Sequence, residues 1–422
     1  MVDNSSPTIT ASLKRAYNAF FDLDNISGSV RNEGIKAMAK SLQNSFDDIL
    51  EANTLDLEAC REMAVPEIIV EWLKLTPERL ETTVNILKRL GRISDPLQKI
   101  LNAPYQLDPS QSYCQLMPLG VISLVYEAFP ELGAITAALC LKTGNTLICR
   151  GCSSASYSNQ AIFQALQNAL VQANLPTGCI EYISPDTGIS IKELVTQDQY
   201  LNLVIPYGRP QFVKEVTEQS TAPVLRTAMG NCYLYWATTG DLELARFMIM
   251  DSHNSEPDPV NAIEKVLVSE DLKAPYLIRL FNSLKENDFC LRGDRAMVAE
   301  FAEYLTPVQA IDWTTPYLNK TIAFRKVKNL EEAVNFINLY SSGHADCLVT
   351  ESYAESRLFA QGIDSALVYI NASPRFSRNP KRGESVFLGI SNQKGYRRGL
   401  IGLEALTTLK QVVQGQKQLE LY

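Results

Sequence analysis

From Gly120 the chain settles into an alternation that few folds accept. Gly120-Val121-Ile122-Ser123-Leu124-Val125-Tyr126 is a short apolar run rich in β-branched residues. A helical segment follows over 131–141, Gly144-Asn145 makes a turn, and Thr146-Leu147-Ile148-Cys149 is a second apolar run. Strand, helix, turn and strand in that order define a βαβ unit, because parallel strands need a crossover between them. A helix at 158–173, a strand at 179–183, a helix at 189–196 and a strand at 201–205 extend the pattern. The expectation is a parallel, Rossmann-like α/β domain.

The alternation restarts after about residue 234, with a helix at 241–250, a strand at 265–268 and a helix at 275–287 before further elements reach 367. That restart predicts a second α/β domain, and 422 residues at 46% hydrophobic content are enough for two cores. The first hundred residues read as helices over 9–23, 29–53 and 76–90, from apolar spacings of three and four. Thr76-Pro77-Glu78 sets a cap residue, a first-turn proline and an early carboxylate in the order a helix start prefers. Between Ala103 and Met117 a polar, Pro-containing stretch predicts a protruding hairpin, with 406–413 as its mate.

Charge and cysteine usage narrow the function. Lys and Arg total 39 against 47 Asp and Glu, a net charge of -8, and no basic run is present to track a phosphate backbone. Nucleic-acid binding is not expected. Apolar stretches are interrupted by charge well before about 18 residues, and residues 1–10 lack a signal-peptide pattern, so a cytoplasmic protein without membrane contact is expected. Nine cysteines without a repeated spacing fit a reducing compartment. Cys149 and Cys152 form a CxxC, but no second pair follows and the chain holds only His253 and His344, so no metal site is expected.

Several motifs are more specific. Pro118-Leu119-Gly120-Val121-Ile122, Tyr126-Glu127-Ala128-Phe129-Pro130, Leu141-Lys142-Thr143-Gly144-Asn145 and Arg150-Gly151 stand in one block. Gly230-Asn231-Cys232, Pro257 to Glu264, Gly343-His344-Ala345-Asp346, Asn371-Ala372-Ser373, Gly389-Ile390-Ser391 and Gly402-Leu403-Glu404-Ala405 follow in order. Together they resemble the glutamate-5-semialdehyde dehydrogenase family, also called γ-glutamyl phosphate reductase, over nearly the whole chain. The resemblance implies an aldehyde dehydrogenase-like fold: two Rossmann-like α/β domains plus an oligomerisation hairpin. The expected division is 1–103 with 118–234 for the cofactor-binding domain, 104–117 with 406–418 for the arm, and 235–405 for the catalytic-type domain. The resemblance further implies NADPH as cofactor and a homo-oligomer as the assembled state.

In that family a cysteine thiolate attacks glutamyl 5-phosphate, phosphate leaves, and NADPH reduces the thioester to the semialdehyde of proline synthesis. Such covalent chemistry needs a soft, ionisable nucleophile. Here Pro257, Asn261, Ala262 and Glu264 fix the register, and the cysteine position is Val260. The family's neighbouring cations are also changed, to Phe129, His253 and Glu256, and the run at 205–209 reads Ile205-Pro206-Tyr207-Gly208-Arg209 where an arginine and two glycines are expected after proline. Counting back from Gly389 puts Lys381 and Phe387 where the family keeps carboxylates.

The resemblance leaves Arg150, Gly151, Ser153, Pro206 and Gly208 as cofactor-binding candidates, with Asn231, Asn261 and His344 on the substrate side. Arg150 has an equal claim to be an ordinary strand-end cation. Asn261 is placed to donate to a carbonyl oxygen, and Glu264, four residues after Val260, would share its face on a helix. Cys232, Cys290 and Cys347 carry no motif of a replacement nucleophile. Two readings stand: a working NADPH-dependent reductase, or a catalytically silent relative kept as a binding or regulatory subunit, partnering an active paralogue through the arm.

Overall fold

The computed structural model describes residues 7–103, 111–254 and 259–415. The chain divides into two compact units, Met1–Arg226 with Arg378–Leu388 and Ile401–Tyr422, and Thr227–Ser377 with Gly389–Leu400.

The first unit opens with helices α1 (Pro7–Asp24), α2 (Gly28–Asn44), α3 (Phe46–Glu62), α4 (Glu67–Leu73) and α5 (Pro77–Leu90). The single helix expected over 29–53 is two helices, broken at Ser45, whose φ of -104° and ψ of 15° leave the helical region. The apolar period continues across the break, so the sequence hides it. Asp47 and Asp48 then fall in the first turn of α3, where carboxylates complement the helix dipole. At α5 the cap is as expected: the Thr76 hydroxyl accepts from the Arg79 N–H at 3.2 Å.

Strands β1 (Ile100–Asn102), β2 (Gln111–Pro118) and β3 (Val121–Tyr126) lead through α6 (Leu132–Lys142) to β4 (Thr146–Arg150). The chain continues through α7 (Ser156–Gln172), β5 (Ile180–Tyr182), α8 (Ile191–Val195), β6 (Leu203–Tyr207) and α9 (Pro210–Gln219). The sheet order is β5-β4-β3-β6, with each pair parallel. Every residue of α6 is buried, which is why that segment is apolar all round. Val121, Val125, Ile148 and Val204 pack with Ile9 and Leu13 of α1 on the sheet.

The second unit comprises β7 (Cys232–Trp236), α10 (Leu242–Ser252), β8 (Ile263–Ser269), α11 (Ala274–Glu286), β9 (Cys290–Gly293) and α12 (Arg295–Glu300). It continues with β10 (Thr306–Pro307), β11 (Thr321–Val327), α13 (Leu330–Tyr340), β12 (Ala345–Val349), α14 (Tyr353–Gly362) and β13 (Leu367–Ile370). Its sheet runs β10-β9-β11-β8-β7-β12-β13, all parallel. Strand alternation splits the core between two faces. Leu234, Trp236, Val266 and Val268 join Phe281 of α11, whereas Tyr233, Tyr235 and Leu267 join Ile337 and Phe359 of α13 and α14.

A last strand, β14 (Thr407–Gln414), returns to the first unit and pairs antiparallel with β2 from Thr407↔Pro118 to Gln414↔Gln111. The expected partnership of the stretch ending at 117 with 406–413 is present, while 104–110 and 416–418 of the expected arm lie outside the described residues. The unit boundary runs differently from the expected 235–405. Residues 227–234 belong with the second unit because β7 sits inside its sheet. Residues 378–388 belong with the first, where Arg89 of α5 donates to Asn379 Oδ1 at 2.6 Å and to the Pro380 carbonyl at 2.5 Å.

One buried amide ties this first unit together. Asn145 Oδ1 accepts from the N–H groups of Leu119 at 2.8 Å and Gly120 at 2.9 Å. Its Nδ2 donates to Thr143 Oγ1 at 2.7 Å and to the Leu406 carbonyl at 2.8 Å. Asn145→Ala leaves four polar partners unpaired, three of them buried, so urea unfolding of the variant is expected to show a loss of about 2–4 kcal/mol.

Candidate active site

The turn entering β8 carries the nucleophile position. Val260 is fully buried, at 0% exposure, and its carbonyl oxygen accepts from the Gly230 N–H at 2.9 Å and from His344 Nε2 at 2.7 Å. Gly230 has a φ of +68°, and a Cβ there would stand 2.7 Å from Pro316 Cβ, so only glycine brings its N–H this close. Because a carbonyl only accepts, His344 carries its proton on Nε2, and Nδ1 accepts from the Ser342 hydroxyl at 2.5 Å. Burial lowers the His344 pKa to about 4, so the ring is a neutral, fixed donor.

The two asparagines are positioned by backbone carbonyls. Asn261 Nδ2 donates to Pro374 O at 2.7 Å. Asn231, at a φ of +56°, donates from Nδ2 to Tyr340 O at 2.9 Å and Trp313 O at 3.3 Å. In each the amide oxygen is buried and without a protein partner. Asn261 therefore offers an acceptor, and the donor expected of it is directed at Pro374.

Glu264 does not share a helix face with Val260. It lies in β8, and the β7–β8 register jumps from Cys232↔Ile263 to Tyr233↔Lys265, which leaves Glu264 as the extra residue of a bulge. Its fully buried carboxylate accepts from the N–H groups of Tyr317 and Leu318, each at 2.7 Å, and from Lys265 Nζ at 3.1 Å. Burial pushes the Lys265 ammonium down from its ordinary range, against the pull of Glu264. The ammonium lies 3.8 Å from the centre of the Tyr317 ring. Sequence reasoning missed Lys265, because regular alternation puts neighbouring strand residues on opposite faces and a bulge leaves no composition signal here.

Cys232 Sγ lies 3.7 Å from His344 Nε2, whose proton is already given to Val260, and burial raises the thiol well above its usual pKa. Burial does the same to Cys347, while Cys290 is exposed on β9. His253 is packed edge-on against Phe289 at 4.9 Å, with Nε2 on the Ile263 carbonyl at 3.0 Å. Glu256 lies outside the described residues, as do Pro257 and Asp258. Among the described residues no cluster of metal ligands forms.

In the first unit the cofactor candidates lie at the ends of β4 and β6. Arg150 is 9% exposed and turns inward, donating to Ile189 O at 2.9 Å and Gly151 O at 3.1 Å. Gly151 is crowded: a Cβ there would lie 2.2 Å from Asn159 Nδ2. Ser153 is exposed at the turn before α7, and Pro206 pairs with Val125 inside the sheet. Gly208 faces Glu127, whose Oε2 would lie 2.9 Å from a Cβ added at that glycine. Arg209 bonds that same carboxylate through its backbone N–H at 2.9 Å, Nε at 2.9 Å and Nη2 at 2.5 Å. Glu127, which sequence reasoning quoted only as part of a motif, thus fills the space against Gly208. This arrangement does not fit the phosphates of a dinucleotide laid against the glycine.

The changed residues touch one another. Phe129, at a φ of +62°, stacks on Trp72 at 5.0 Å and meets Tyr207 edge-on at 5.9 Å. The Tyr207 hydroxyl accepts from Arg378 Nη2 at 2.7 Å. Lys381 is exposed, and Phe387 packs against Gly402.

Residues 3–280 match the aldehyde dehydrogenase family, and the chain belongs to it. Within that family it is 53% identical over 416 residues to the Synechocystis sp. protein named gamma-glutamyl phosphate reductase 2, covering 99% of each chain. It is 36% identical over 412 residues to the gamma-glutamyl phosphate reductase of Gloeobacter violaceus, covering 98% of each. The crystal structure of gamma-glutamyl phosphate reductase from Thermotoga maritima superposes with a TM-score of 0.88 at 32% identity, covering 98% of this chain and 100% of that one. The particular branch is therefore the glutamate-5-semialdehyde dehydrogenases, or γ-glutamyl phosphate reductases.

His344 and Asp346 give this site opposing pH responses. The buried Asp346 carboxylate accepts from Tyr233 N at 2.8 Å, Ser341 Oγ at 2.7 Å and Ser365 Oγ, yet burial raises its pKa to about 7. A depressed histidine stabilises the fold above its unfolded pKa and loses that contribution as pH falls from 6.5 towards 4. A raised carboxylate contributes most below 3.8 and loses it as pH rises through 7. His344→Asn is therefore expected to cost more stability at pH 7 than at pH 4.5, by roughly 3 kcal/mol at most. Asp346→Asn should show the reverse, and urea unfolding at the two pH values checks both signs.

Proposed function

We propose that this chain is a glutamate-5-semialdehyde dehydrogenase relative that no longer carries out the covalent reduction of glutamyl 5-phosphate and acts as a binding or regulatory subunit. The observation that carries the reading is Val260. Its side chain has no group to attack an acyl phosphate, and the nearby thiol of Cys232 is buried and raised well above its usual pKa. A working reductase is the second reading, favoured by 53% identity to a relative that bears that name. On that reading NADPH supplies hydride, the amide oxygens of Asn231 and Asn261 hold the substrate, and His344 positions the Val260 turn beside them.

We also propose a cytoplasmic homo-oligomer, with an active paralogue as an alternative partner. No helix among the described residues is long and apolar enough to cross a membrane. The arm supports the assembly: β14 is the edge of its sheet, and its Leu409 and Val413 side chains are 52% and 49% exposed.

The deciding assay runs in the phosphate-dependent, NADP-reducing direction with glutamate semialdehyde. Native protein is expected to turn over at least about 1000-fold more slowly than an ordinary family member, the scale of losing an essential nucleophile. Normal turnover, abolished by a substitution elsewhere, would establish the working reading instead. Val260→Cys is expected to restore only part of the rate, since Phe129, Arg209 and Lys381 remain.

A further inference from the structure

In the sheet order β5-β4-β3-β6 the chain steps outward from β3 to β5, then crosses back to place β6 on the other side of β3. Such a reversal opens a crevice beyond the carboxyl ends of the two strands that flank it, which is where open α/β sheets bind ligands. In this chain those ends are Tyr126-Glu127 and Tyr207-Gly208-Arg209, joined by the Glu127 N–H on the Tyr207 carbonyl at 3.0 Å.

The groups there that suit an anion are already used. The Arg209 N–H, at the start of α9, is given to Glu127 Oε2, and the guanidinium Nε and Nη2 are given to Oε1. The carboxylate is only 13% exposed, whereas the Arg209 side chain lies over it at 41%. Against Gly208 a Cβ would meet Glu127 Cβ at 2.8 Å and Phe212 Cδ1 at 3.0 Å, so the backbone there is covered by protein atoms. A nearby second cation, Arg378, donates to the Tyr207 hydroxyl and to the Leu388 carbonyl, at 2.7 and 3.3 Å.

We propose that the Arg209–Glu127 pair is a clamp that closes the dinucleotide crevice, so that the chain in its resting state excludes nicotinamide dinucleotides. Two costs act together. The pyrophosphate would have to take the Arg209 N–H and guanidinium from Glu127, which covers Gly208 together with Phe212, and it would then face a largely buried carboxylate of its own sign. Breaking a half-buried pair in this way leaves that carboxylate without its partner, the expensive way to separate such charges. The inference rests on the family placement and not on the loss of the nucleophile, so a binding measurement tests it separately from turnover.

The test titrates NADPH into native protein, Arg209→Gly and Glu127→Gln, following nicotinamide fluorescence and thermal stability. Native protein is expected to show no saturable binding below about 1 mM, equivalent to less than roughly 4 kcal/mol. Arg209→Gly removes the guanidinium that pins Glu127 against Gly208 and is expected to bind at least tenfold more tightly, with a rise in melting temperature on adding coenzyme. Glu127→Gln frees the guanidinium and should gain in the same direction. Micromolar binding by native protein overturns the clamp, as does a folded Arg209→Gly that gains nothing. Should Arg209→Gly fail to fold, the gain or its absence in Glu127→Gln decides.

Discussion

The carbonyl oxygen of Val260 is the constraint on which the second unit's site is built. Two donors converge on it, the Gly230 N–H and His344 Nε2, and neither contact involves the Val260 side chain. Gly230 reaches it through a positive φ, and Asn231 continues in the left-handed region next to it. His344 is held by Ser342, and Ser342 precedes the Gly343-His344-Ala345-Asp346 turn that starts β12. A backbone over-determined in this way survives the exchange of a thiol for an isopropyl group of similar size. The scaffold grips the main chain here, separately from the side chain that position carries.

The same separation explains how far the sequence could be read. Periodicity and cap chemistry report the local chain, so the βαβ alternation and the Thr76 cap were legible, and the polar stretch ending at Met117 suggested its mate in β14. The Ser45 break was not, since apolar spacing runs through it without change. The Glu264 bulge escaped because one inserted residue shifts the register without altering composition, and the shift sends Glu264 and Lys265 into one ion pair. Discontinuous membership escaped for a related reason: residues 378–388 are held in the first unit by Arg89, nearly three hundred positions away in sequence. Substitutions were legible singly, through motif register, but their partners were not.

Those partners change what the substitutions mean. Here Phe129 stacks on Trp72 and meets Tyr207 edge-on, and Arg378 closes the row on the Tyr207 hydroxyl. Phe129 holds a φ of +62° with its ring fully buried, a conformation that an aromatic residue keeps only when its packing outweighs a backbone cost of about 1–3 kcal/mol.

Glu127 is largely buried, and a buried carboxylate stripped of its cation costs about 3–5 kcal/mol, a large fraction of the stability of an ordinary domain. The resembling family has an arginine at 129 and another at 207, and both are absent from this chain. A guanidinium at 209, two residues along from the one lost at 207, satisfies Glu127 with three hydrogen bonds, at the position where the same family keeps a bare glycine. The pairing gives a largely buried carboxylate its cation and occupies the Arg209 N–H at the start of α9. On the proposed clamp, stability and coenzyme access pull in opposite directions at this one residue.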